Sequence, residues 1–542
     1  MAQPQAPRGI MNIIRFYTQR RLLTIFLLGM ASGYPWVMIG SSMSAWLNEA
    51  GMSRSAIGYF GAVYVMYSVN FLWSPLIDRL KLPVLSRWLG QRRGWILFCQ
   101  VGLVFTCLAL SFINFEVHSL TSAGLIALAI ATFSATQDIA IDAYRIDSIG
   151  EYESGVQSAA AAMATSGWWT GFAAIGSIPF FLSELPGWDW PTIYKGLAIV
   201  MVLLMSGVWL AREPVTNRAE LQHAAEQSYL AIAVSRPLLS LSLPLLGFII
   251  VALLAWAITQ MGEATSKHWL AWAALQLLLV AIVVRALMAL ERQKNLGQIK
   301  LGSLTTARVH IQHRMAAWLI VTMIEPLAEF FRRNGVRFAL SILLFVLLFK
   351  VGEAFLGRMS IVFYQEVGFT NQQIGLYSKL LNWWVTIVFS LIGSYVTMRA
   401  GIIKGLFIGG SAMALSNLFF AALAVTGPSV PLLTAAVVVD GFTSAWSTVA
   451  FVALISLMTN RAFTASQYAL MASIATLGRT LLGSYSGVLV DYLDGDWALF
   501  FVLTTLMVLP SLLFLWSIRK PIQRLEAEGR QREFEHHQNK GA

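Results

Sequence analysis

Long apolar runs recur about fourteen times along this chain, and their length restricts what it can fold into. A helix needs roughly 20 apolar residues to cross the hydrocarbon core of a bilayer. The runs cover about 22–47, 56–77, 94–114, 122–143, 156–182, 192–211, 239–261, 269–290, 338–363, 374–398, 402–425, 431–458, 465–489 and 497–518. Only 12% of the residues are charged, against roughly 25% in soluble domains. The sequence therefore predicts an all-α integral membrane protein with about 14 transmembrane helices.

The runs divide the chain into two groups of six with an extra pair between them. The predicted units are an N-terminal half at 1–211, a central linker at 212–337, a C-terminal half at 338–518 and a cytoplasmic tail at 519–542. The linker holds a predicted transmembrane hairpin at about 239–290 and an amphipathic surface helix at about 308–331. One constant shift aligns Gln157 with Gln467, Ala159 with Ala469, Ala162 with Ala472 and Thr170 with Thr480. Two such six-helix halves resemble the major facilitator fold, whose substrate binds near the membrane midplane between the halves.

Lys and Arg residues concentrate in the loops on one side of the predicted helices. These loops hold Arg79, Lys81, Arg87, Arg92, Arg93, Arg292, Lys294, Lys300, Arg308, Arg314, Arg332, Arg333, Arg337, Arg519, Lys520 and Arg524. Because cytoplasmic loops carry such an excess of cations, both termini are predicted to lie in the cytoplasm. The formal net charge of +11 therefore reflects membrane topology, and nucleic-acid binding is not expected.

Two carboxylates lie one helical turn apart near the end of the fourth run, in the stretch from Gln137 to Arg145. A charge at the bilayer centre costs roughly 2.5 to 3.5 kcal/mol, and such acids often mark substrate or proton pathways. Asp138 is the first choice for a proton-coupling site, with a purely structural role as the alternative. Asp142 lies nearer the membrane surface, so it is either a second proton site or an interfacial partner of Arg145. Gln137 is a candidate substrate contact.

The second half carries its own intramembrane charges. Lys350 and Glu353 are three residues apart, a spacing that allows a local ion pair on one helix. Lys379, Asp440 and Arg479 lie in other predicted helices. Glu353 is a further candidate for proton coupling, and the other four are candidate substrate or gating contacts, with structural pairing as the alternative for each. Lys379 and Arg479 have no local acid, which suggests an anionic group on the substrate.

Aromatic and amide side chains inside the predicted helices suit a bulky polar ligand. Tyr34, Trp168, Trp169 and Asn382 are candidate substrate contacts, because sugar rings stack on aromatic faces and amides bind hydroxyl groups. Most of the 19 Trp residues are expected to pack in the core or to lie at the membrane interfaces. The aromatic residues alone therefore indicate little.

The loop between the second and third predicted helices has an acid followed by basic residues. Asp78 and Arg79 come first, and Arg92 and Arg93 follow after an insert. The pattern resembles the loop signature of major facilitator transporters, which implies a cytoplasmic gate formed by these four residues with Arg145. A basic loop that only follows the positive-inside rule is the alternative.

Six short motifs together resemble the AmpG-type muropeptide permeases of the major facilitator superfamily. They are Gln137-Asp138 with Asp142-Ala143, Glu325-Pro326-Leu327 with Phe330-Phe331, Lys350 to Phe355, Val367-Gly368-Phe369, Ala450 to Leu454, and Ser466 to Leu470 with Gly478-Arg479. The match covers most of both halves. Many relatives place two extra hydrophobic segments after the twelfth core helix, whereas here the pair lies at 239–290. The hairpin is therefore not expected to take part in the shared chemistry.

This resemblance implies import of N-acetylglucosaminyl-1,6-anhydro-N-acetylmuramyl peptides from the periplasm, driven by the proton gradient. It implies a role in peptidoglycan recycling and, in some species, in beta-lactamase induction. The expected location is the inner membrane of a Gram-negative bacterium, and the expected partners are the muropeptide, protons and the lipid bilayer. We expect a monomer with no cofactor and no metal site.

Three alternatives remain open at this stage. The fourth-helix acidic motif also resembles that of acetyl-coenzyme A transporters, so another anionic conjugate could be the cargo. A membrane-embedded transferase is a second alternative, although the sequence lacks spaced metal ligands, a nucleophile elbow and a P-loop. A sensor that binds its ligand without transporting it is the third.

Overall fold

The structure is a computed structural model that describes residues 10–52, 60–113, 120–149, 153, 156–183, 185–235, 285, 310–370, 373–484 and 486–541. The hairpin predicted at about 239–290 lies outside the described residues, apart from Arg285. Its predicted place in the membrane therefore stays a prediction.

The described part of the N-terminal half and the start of the linker are helical. The helices are α1 (Ile10–Tyr17), α2 (Arg20–Gly33), α3 (Ser42–Glu49), α4 (Val65–Val69), α5 (Ser74–Arg79), α6 (Leu85–Leu89), α7 (Gln91–Leu110), α8 (Leu120–Ser148), α9 (Val156–Trp169), α10 (Ile178–Ser183), α11 (Trp190–Leu204), α12 (Ser206–Leu210) and α13 (Arg218–Ser235). This follows from the apolar runs, because a backbone in lipid must satisfy its own polar groups.

The rest of the described chain is helical as well. The helices are α14 (Ile311–Met323), α15 (Glu325–Asn334), α16 (Val336–Leu348), α17 (Val351–Val367), α18 (Asn382–Ala400), α19 (Ile402–Thr426), α20 (Val430–Met458), α21 (Thr464–Ser484), α22 (Ser486–Tyr492) and α23 (Trp497–Gly541). The amphipathic helix predicted at about 308–331 is two helices, α14 and α15. The break falls at Ile324, and Pro326 occupies the first turn of α15, where proline is tolerated.

Eight helical segments of the described chain are long and apolar enough to cross a membrane. They are Arg20–Leu47, Gln91–Leu110, Leu120–Ser148, Trp190–Leu210, Val336–Val367, Ile402–Thr426, Val430–Met458 and Trp497–Gly529. Four other predicted spans, at about 56–77, 156–182, 374–398 and 465–489, are helices that are interrupted or less apolar. These four include α4, α5, α9, α18 and α21, which supply most of the packing between the two halves. A helix that faces the other half needs less apolar surface than one that faces lipid.

The two halves pack against each other along two lines. In one line, α9 of the first half packs on α18 and α20 of the second. In the other, α21 of the second half packs on α4, α5 and α8 of the first. We call the end of the bundle where α5, the start of α7, the end of α8 and the start of α21 meet the basic end.

The linker helix α13 lies against the basic end and packs on α14. Their contact buries Tyr229, Ala233, Ile320 and Val321. The amide of Gln222 in α13 donates to the carbonyl oxygen of Ala462 in the second half at 2.7 Å. The linker thus contacts the protein at the point where the halves meet.

In the described chain three π-helical segments interrupt the helices, at Val37–Ser41, Thr170–Ala174 and Ile374–Leu381. Each adjoins tryptophans: Trp36 precedes the first, Trp168 and Trp169 precede the second, and Trp383 follows the third after one residue. Such segments are rare and often lie at functional sites. The aromatic side chains beside these segments are therefore candidates for a functional site.

Candidate functional site

A buried cluster of four charged side chains lies at the basic end, and we call it the ion-pair cluster. Arg92, in the first turn of α7, pairs with Asp78 of α5 and with Asp147 near the end of α8, both at 2.8 Å. Arg218, the first residue of α13, pairs with Asp147 at 3.0 Å. Arg92 and Asp78 have side chains only 1% and 0% exposed. A buried charge is tolerated when paired in this way.

The same carboxylates also bind the second half. Asp78 accepts hydrogen bonds from the backbone N–H groups of Ala465 and Ser466 at 3.1 and 2.9 Å, and from the Ser466 hydroxyl at 2.7 Å. Asp147 accepts one from the Thr464 hydroxyl at 2.7 Å. The first N–H groups of a helix have no partner within it, and a carboxylate is favoured there. The first turn of α21 is therefore bound by acids of the other half.

The other two basic residues of the predicted loop signature, Arg79 and Arg93, point elsewhere. Arg79 forms an ion pair with Glu226 of the linker helix α13. Burial lowers the pKa of Arg79 to about 10, so it stays charged at neutral pH. The Arg93 side chain donates to the Val208 carbonyl oxygen at 3.0 Å, within its own half. The structure thus places only Asp78 and Arg92 of that loop in contact with each other.

Asp138 lies within α8, partly buried, away from the ion-pair cluster. It accepts a hydrogen bond from the Ser32 hydroxyl of α2 at 2.7 Å. Among the described residues, no Lys, Arg or His forms an ion pair with it. Its neighbour Gln137 is fully buried and donates to the Ala31 carbonyl oxygen at 2.7 Å, which fastens α8 to α2.

Asp142 is in a different environment one turn further along α8. It pairs with Arg145 at 3.1 Å and lies close enough to Tyr468 of α21 to interact with it electrostatically. Arg145 also donates to the Ser456 hydroxyl of α20 at 3.1 Å. The structure therefore shows the Arg145 pairing that the sequence left as one of two interpretations, and this pair too contacts the second half.

A second charged group lies inside the C-terminal half, where the chain passes from α16 to α17. Lys350 forms an ion pair with Glu353 and donates to the hydroxyls of Ser447 and Thr448 at 2.7 and 2.9 Å. Ser444 donates to Glu353 at 3.1 Å. These hydroxyls belong to α20, so α17 and α20 are joined through a polar network in an otherwise apolar half.

The remaining charged candidates of this half lie around that pair. Asp440 of α20 and Arg479 of α21 are close enough to interact electrostatically with both Lys350 and Glu353. Arg479 is exposed. Lys379 lies in the third π-helical segment, and its side chain is outside what the structure describes. Three of the four helices predicted to carry charges are thus brought together.

The predicted aromatic and amide contacts occupy different settings. Tyr34 is fully buried, and its hydroxyl donates to the Leu197 carbonyl oxygen at 3.1 Å, which is a packing position. Trp168 and Trp169 are partly buried and lie edge to face with centroids 5.5 Å apart. The side-chain oxygen of Asn382 is buried without a hydrogen-bond partner in the described chain.

Sequence analysis missed half of the ion-pair cluster and its partners in the second half. The sequence did not indicate that Asp147 is buried in an ion pair, because an acid at the end of an apolar run usually faces water. Arg218 looked like one more basic linker residue. The start of α21, with Thr464 and Ser466, carries the signal of a helix N-terminus. This signal indicates that the first N–H groups of the helix need hydrogen-bond acceptors.

In the described ranges no group of three or more His, Cys, Asp or Glu residues could hold a metal ion.

The chain is similar over most of its length to known proteins. No protein-family model matches the chain. A putative transporter AmpG 4 from Rickettsia conorii is 29% identical over 512 residues, which is 94% of this chain and 100% of that protein. The anhydromuropeptide permease of Escherichia coli K12 is 26% identical over 94% of this chain and 82% of its own length. These proteins are named as transporters or permeases, in agreement with the prediction that the chain is not an enzyme.

Solved structures agree on the fold. The proton:xylose symporter XylE, of the major facilitator superfamily, superposes with a TM-score of 0.54 at 13% identity over 93% of this chain and 96% of that chain. The human organic anion transporter TETRAN superposes with a TM-score of 0.52 at 14% identity, over 92% of this chain and 99% of that chain. The all-α fold is therefore confirmed, and over nearly its whole length the chain is similar in sequence to proteins named as AmpG transporters or anhydromuropeptide permeases.

Proposed function

We propose that this protein imports N-acetylglucosaminyl-1,6-anhydro-N-acetylmuramyl peptides into the cytoplasm together with protons. The support for the substrate is the name of the Escherichia coli relative, which aligns with 94% of this chain. Imported muropeptides would serve peptidoglycan recycling and would influence beta-lactamase induction. No cofactor is required, because the proton gradient supplies the driving force.

The observation that carries proton coupling is the environment of Asp138. This acid lies within a spanning helix with the Ser32 hydroxyl at 2.7 Å and with no described cation paired to it. Acids inside a transmembrane bundle commonly serve as proton relays. Asp138 can therefore change its charge without breaking an ion pair, whereas Asp142 and Glu353 would each lose one.

Substrate recognition by charge is assigned to the second half. Arg479 is exposed and lies close to the Lys350–Glu353 pair. A muropeptide carries carboxylates on its peptide stem, and an Arg fork binds a carboxylate through two parallel hydrogen bonds. Arg479 would bind such a carboxylate, with Lys379 and Asp440 as further substrate or gating contacts.

The proposed setting is the inner membrane of a Gram-negative bacterium, with a monomer as the working unit. The distribution of Lys and Arg supports a cytoplasmic location for both termini and for the basic end. The ion-pair cluster would then hold the cytoplasmic ends of the halves together, and it would have to separate before substrate is released.

The test is uptake of radiolabelled anhydromuropeptide into proteoliposomes with and without an imposed proton gradient. We expect uptake to depend on the gradient in the wild type, and Asp138→Asn to abolish that dependence. Asp491→Asn, at an exposed acid of α22, is the matched control and should behave as wild type. Full coupling in Asp138→Asn would overturn the proton assignment. Absence of muropeptide uptake, or competition by acetyl-coenzyme A, would overturn the substrate.

A further inference from the structure

Four aromatic side chains of the first half form a cluster that we call the aromatic box. Trp36 is at its centre, with ring centroids 4.4 Å from Tyr67, 4.8 Å from Tyr64 and 5.8 Å from Trp168. Trp36, Tyr64 and Trp168 are only partly buried, and Phe172 stacks on one face of the Trp168 ring with centroids 4.9 Å apart. Trp168 of these four is also a candidate substrate contact from the sequence.

The backbone around the box is shaped to bring these rings together. Trp36 and Trp168 each adjoin a π-helical segment, and such segments are enriched at functional sites. Gly40, inside the first segment, has no Cβ atom, and a Cβ placed there would lie 2.3 Å from the Tyr64 hydroxyl. The close approach of Tyr64 to the first helix therefore requires glycine at this position.

Several buried polar atoms in and beside the box have no hydrogen-bond partner in the described chain. The indole N–H of Trp36 and the side-chain oxygen of Gln137 have none in the described chain. Tyr67 and Ser134 face each other, yet neither hydroxyl has a partner with full hydrogen-bond geometry. Buried polar groups are nearly always satisfied by protein, water or ligand. The box thus offers donors and acceptors that something else must fill.

The box also adjoins the proposed proton site. Ser32, which donates to Asp138, lies four residues before Trp36, on the same face of the helix. Tyr67 is close enough to Asp138 to interact with it electrostatically. A ligand in the box would therefore lie beside the acid that is proposed to couple transport to protons.

We propose that the aromatic box binds a pyranose ring of the muropeptide disaccharide. The apolar face of the sugar would stack on the Trp36 or Trp168 ring, and its hydroxyls would bond to the Trp36 N–H and the Tyr67 hydroxyl. Aromatic side chains with a polar handle suit a ligand that is apolar on one face and polar at its edge. The inference rests on the proposed function. It divides recognition between the halves, with the saccharide bound by the first and the peptide carboxylates by the second.

The test measures binding by calorimetry with the purified full chain in detergent. The probes are the anhydro disaccharide without peptide, the complete disaccharide tripeptide and the free tripeptide. Trp36→Leu should weaken binding of both saccharide-containing probes by about tenfold, as expected when a central tryptophan is removed, and should leave binding of the free tripeptide unchanged. The matched control is Trp209→Leu, at an exposed tryptophan of α12, and it should bind all three as wild type does.

Unchanged saccharide binding in Trp36→Leu would overturn the inference, because water alone would then fill the box. The proposed function would still stand in that case if the wild type binds the muropeptide. Absence of binding of the complete muropeptide to the wild type would overturn both. Gel filtration decides whether Trp36→Leu is folded. If it is not, Tyr67→Phe replaces it, since this change keeps the ring and removes only the hydroxyl. A loss of about threefold in saccharide affinity supports the inference, and no loss overturns it.

Discussion

The carboxylates of the ion-pair cluster and the carboxylate of Asp138 all lie inside the helical bundle, but their environments are opposite. Asp78 and Asp147 share Arg92 at 2.8 Å and bind the first turn of α21 across the interface. In the described chain, the Asp138 carboxyl group accepts a hydrogen bond from the Ser32 hydroxyl at 2.7 Å and forms no ion pair. The acids of the cluster are stabilised as charges, so they hold the halves in one arrangement. Asp138 is left without a described counter-ion, which suits an acid that changes its charge.

The largest effect is expected from removal of the shared cation. Arg92→Leu would leave Asp78 and Asp147 buried without their central partner, and loss of one member of a buried pair costs about 3 to 5 kcal/mol. The thermal midpoint of the purified protein in detergent should fall steeply. Arg93→Leu is the matched control on the next residue, because the Arg93 side chain donates to the backbone carbonyl oxygens of Val208 and Leu89 in its own half and forms no ion pair in the described chain. Equal losses in the two variants would contradict the role given to the cluster.

A smaller effect is expected from the bond that joins the cluster to the second half. Ser466→Ala removes a hydroxyl that donates to Asp78 at 2.7 Å, and a hydrogen bond to a charged group contributes about 1.5 to 3 kcal/mol. Because the bond crosses the interface, its loss should favour separation of the halves at the basic end.

The measurement for Ser466→Ala is the rate of maleimide labelling at a cysteine introduced at Thr464, in a protein whose two native cysteines are replaced. Labelling should be faster in the variant than in the parent. Ser486→Ala is the control, since the Ser486 hydroxyl donates within its own half, to the Gly483 carbonyl oxygen. Equal labelling rates in parent and Ser466→Ala would show that the bond does not hold the interface closed.

Asp138→Asn should have a still smaller effect on stability, although it should abolish proton coupling. Asn has nearly the same shape and can still accept the Ser32 hydrogen bond, and no described ion pair is broken. We expect the free energy of unfolding to change by less than about 1 kcal/mol, within the range of ordinary hydrogen-bond changes. The thermal midpoint measured beside that of Arg92→Leu checks this. A loss comparable with that of Arg92→Leu would show that Asp138 is a structural charge.

The helices could be predicted from sequence because bilayer thickness imposes one length on every spanning segment. Local pairs could be predicted for a similar reason: Asp142 and Arg145, and Lys350 and Glu353, are three residues apart on a helix. The contact of Asp78 with Ser466 could not, since 388 residues separate them and either side chain has many possible partners. The π-helical segments beside Trp36 and Trp168 could not be predicted either, because no residue pattern marks where one extra residue enters a helical turn.

An effect as small as that of Asp138→Asn, and one that reports directly on the Asp138 carboxyl group, is expected from Ser32→Ala. This change removes the hydroxyl that donates to Asp138 at 2.7 Å and leaves the carboxyl group in place. A hydrogen bond between neutral groups contributes about 0.5 to 1.5 kcal/mol, whereas one to a charged group contributes about 1.5 to 3 kcal/mol. We expect the lower range at neutral pH, because no described cation holds a charge on Asp138. Thr24→Ala is the control, since the Thr24 hydroxyl donates to the Arg20 carbonyl oxygen of the same helix at 2.8 Å. A loss in the upper range would show that Asp138 is charged in the resting protein, and the contrast with the ion-pair cluster would then lie in the number of its partners and not in its charge.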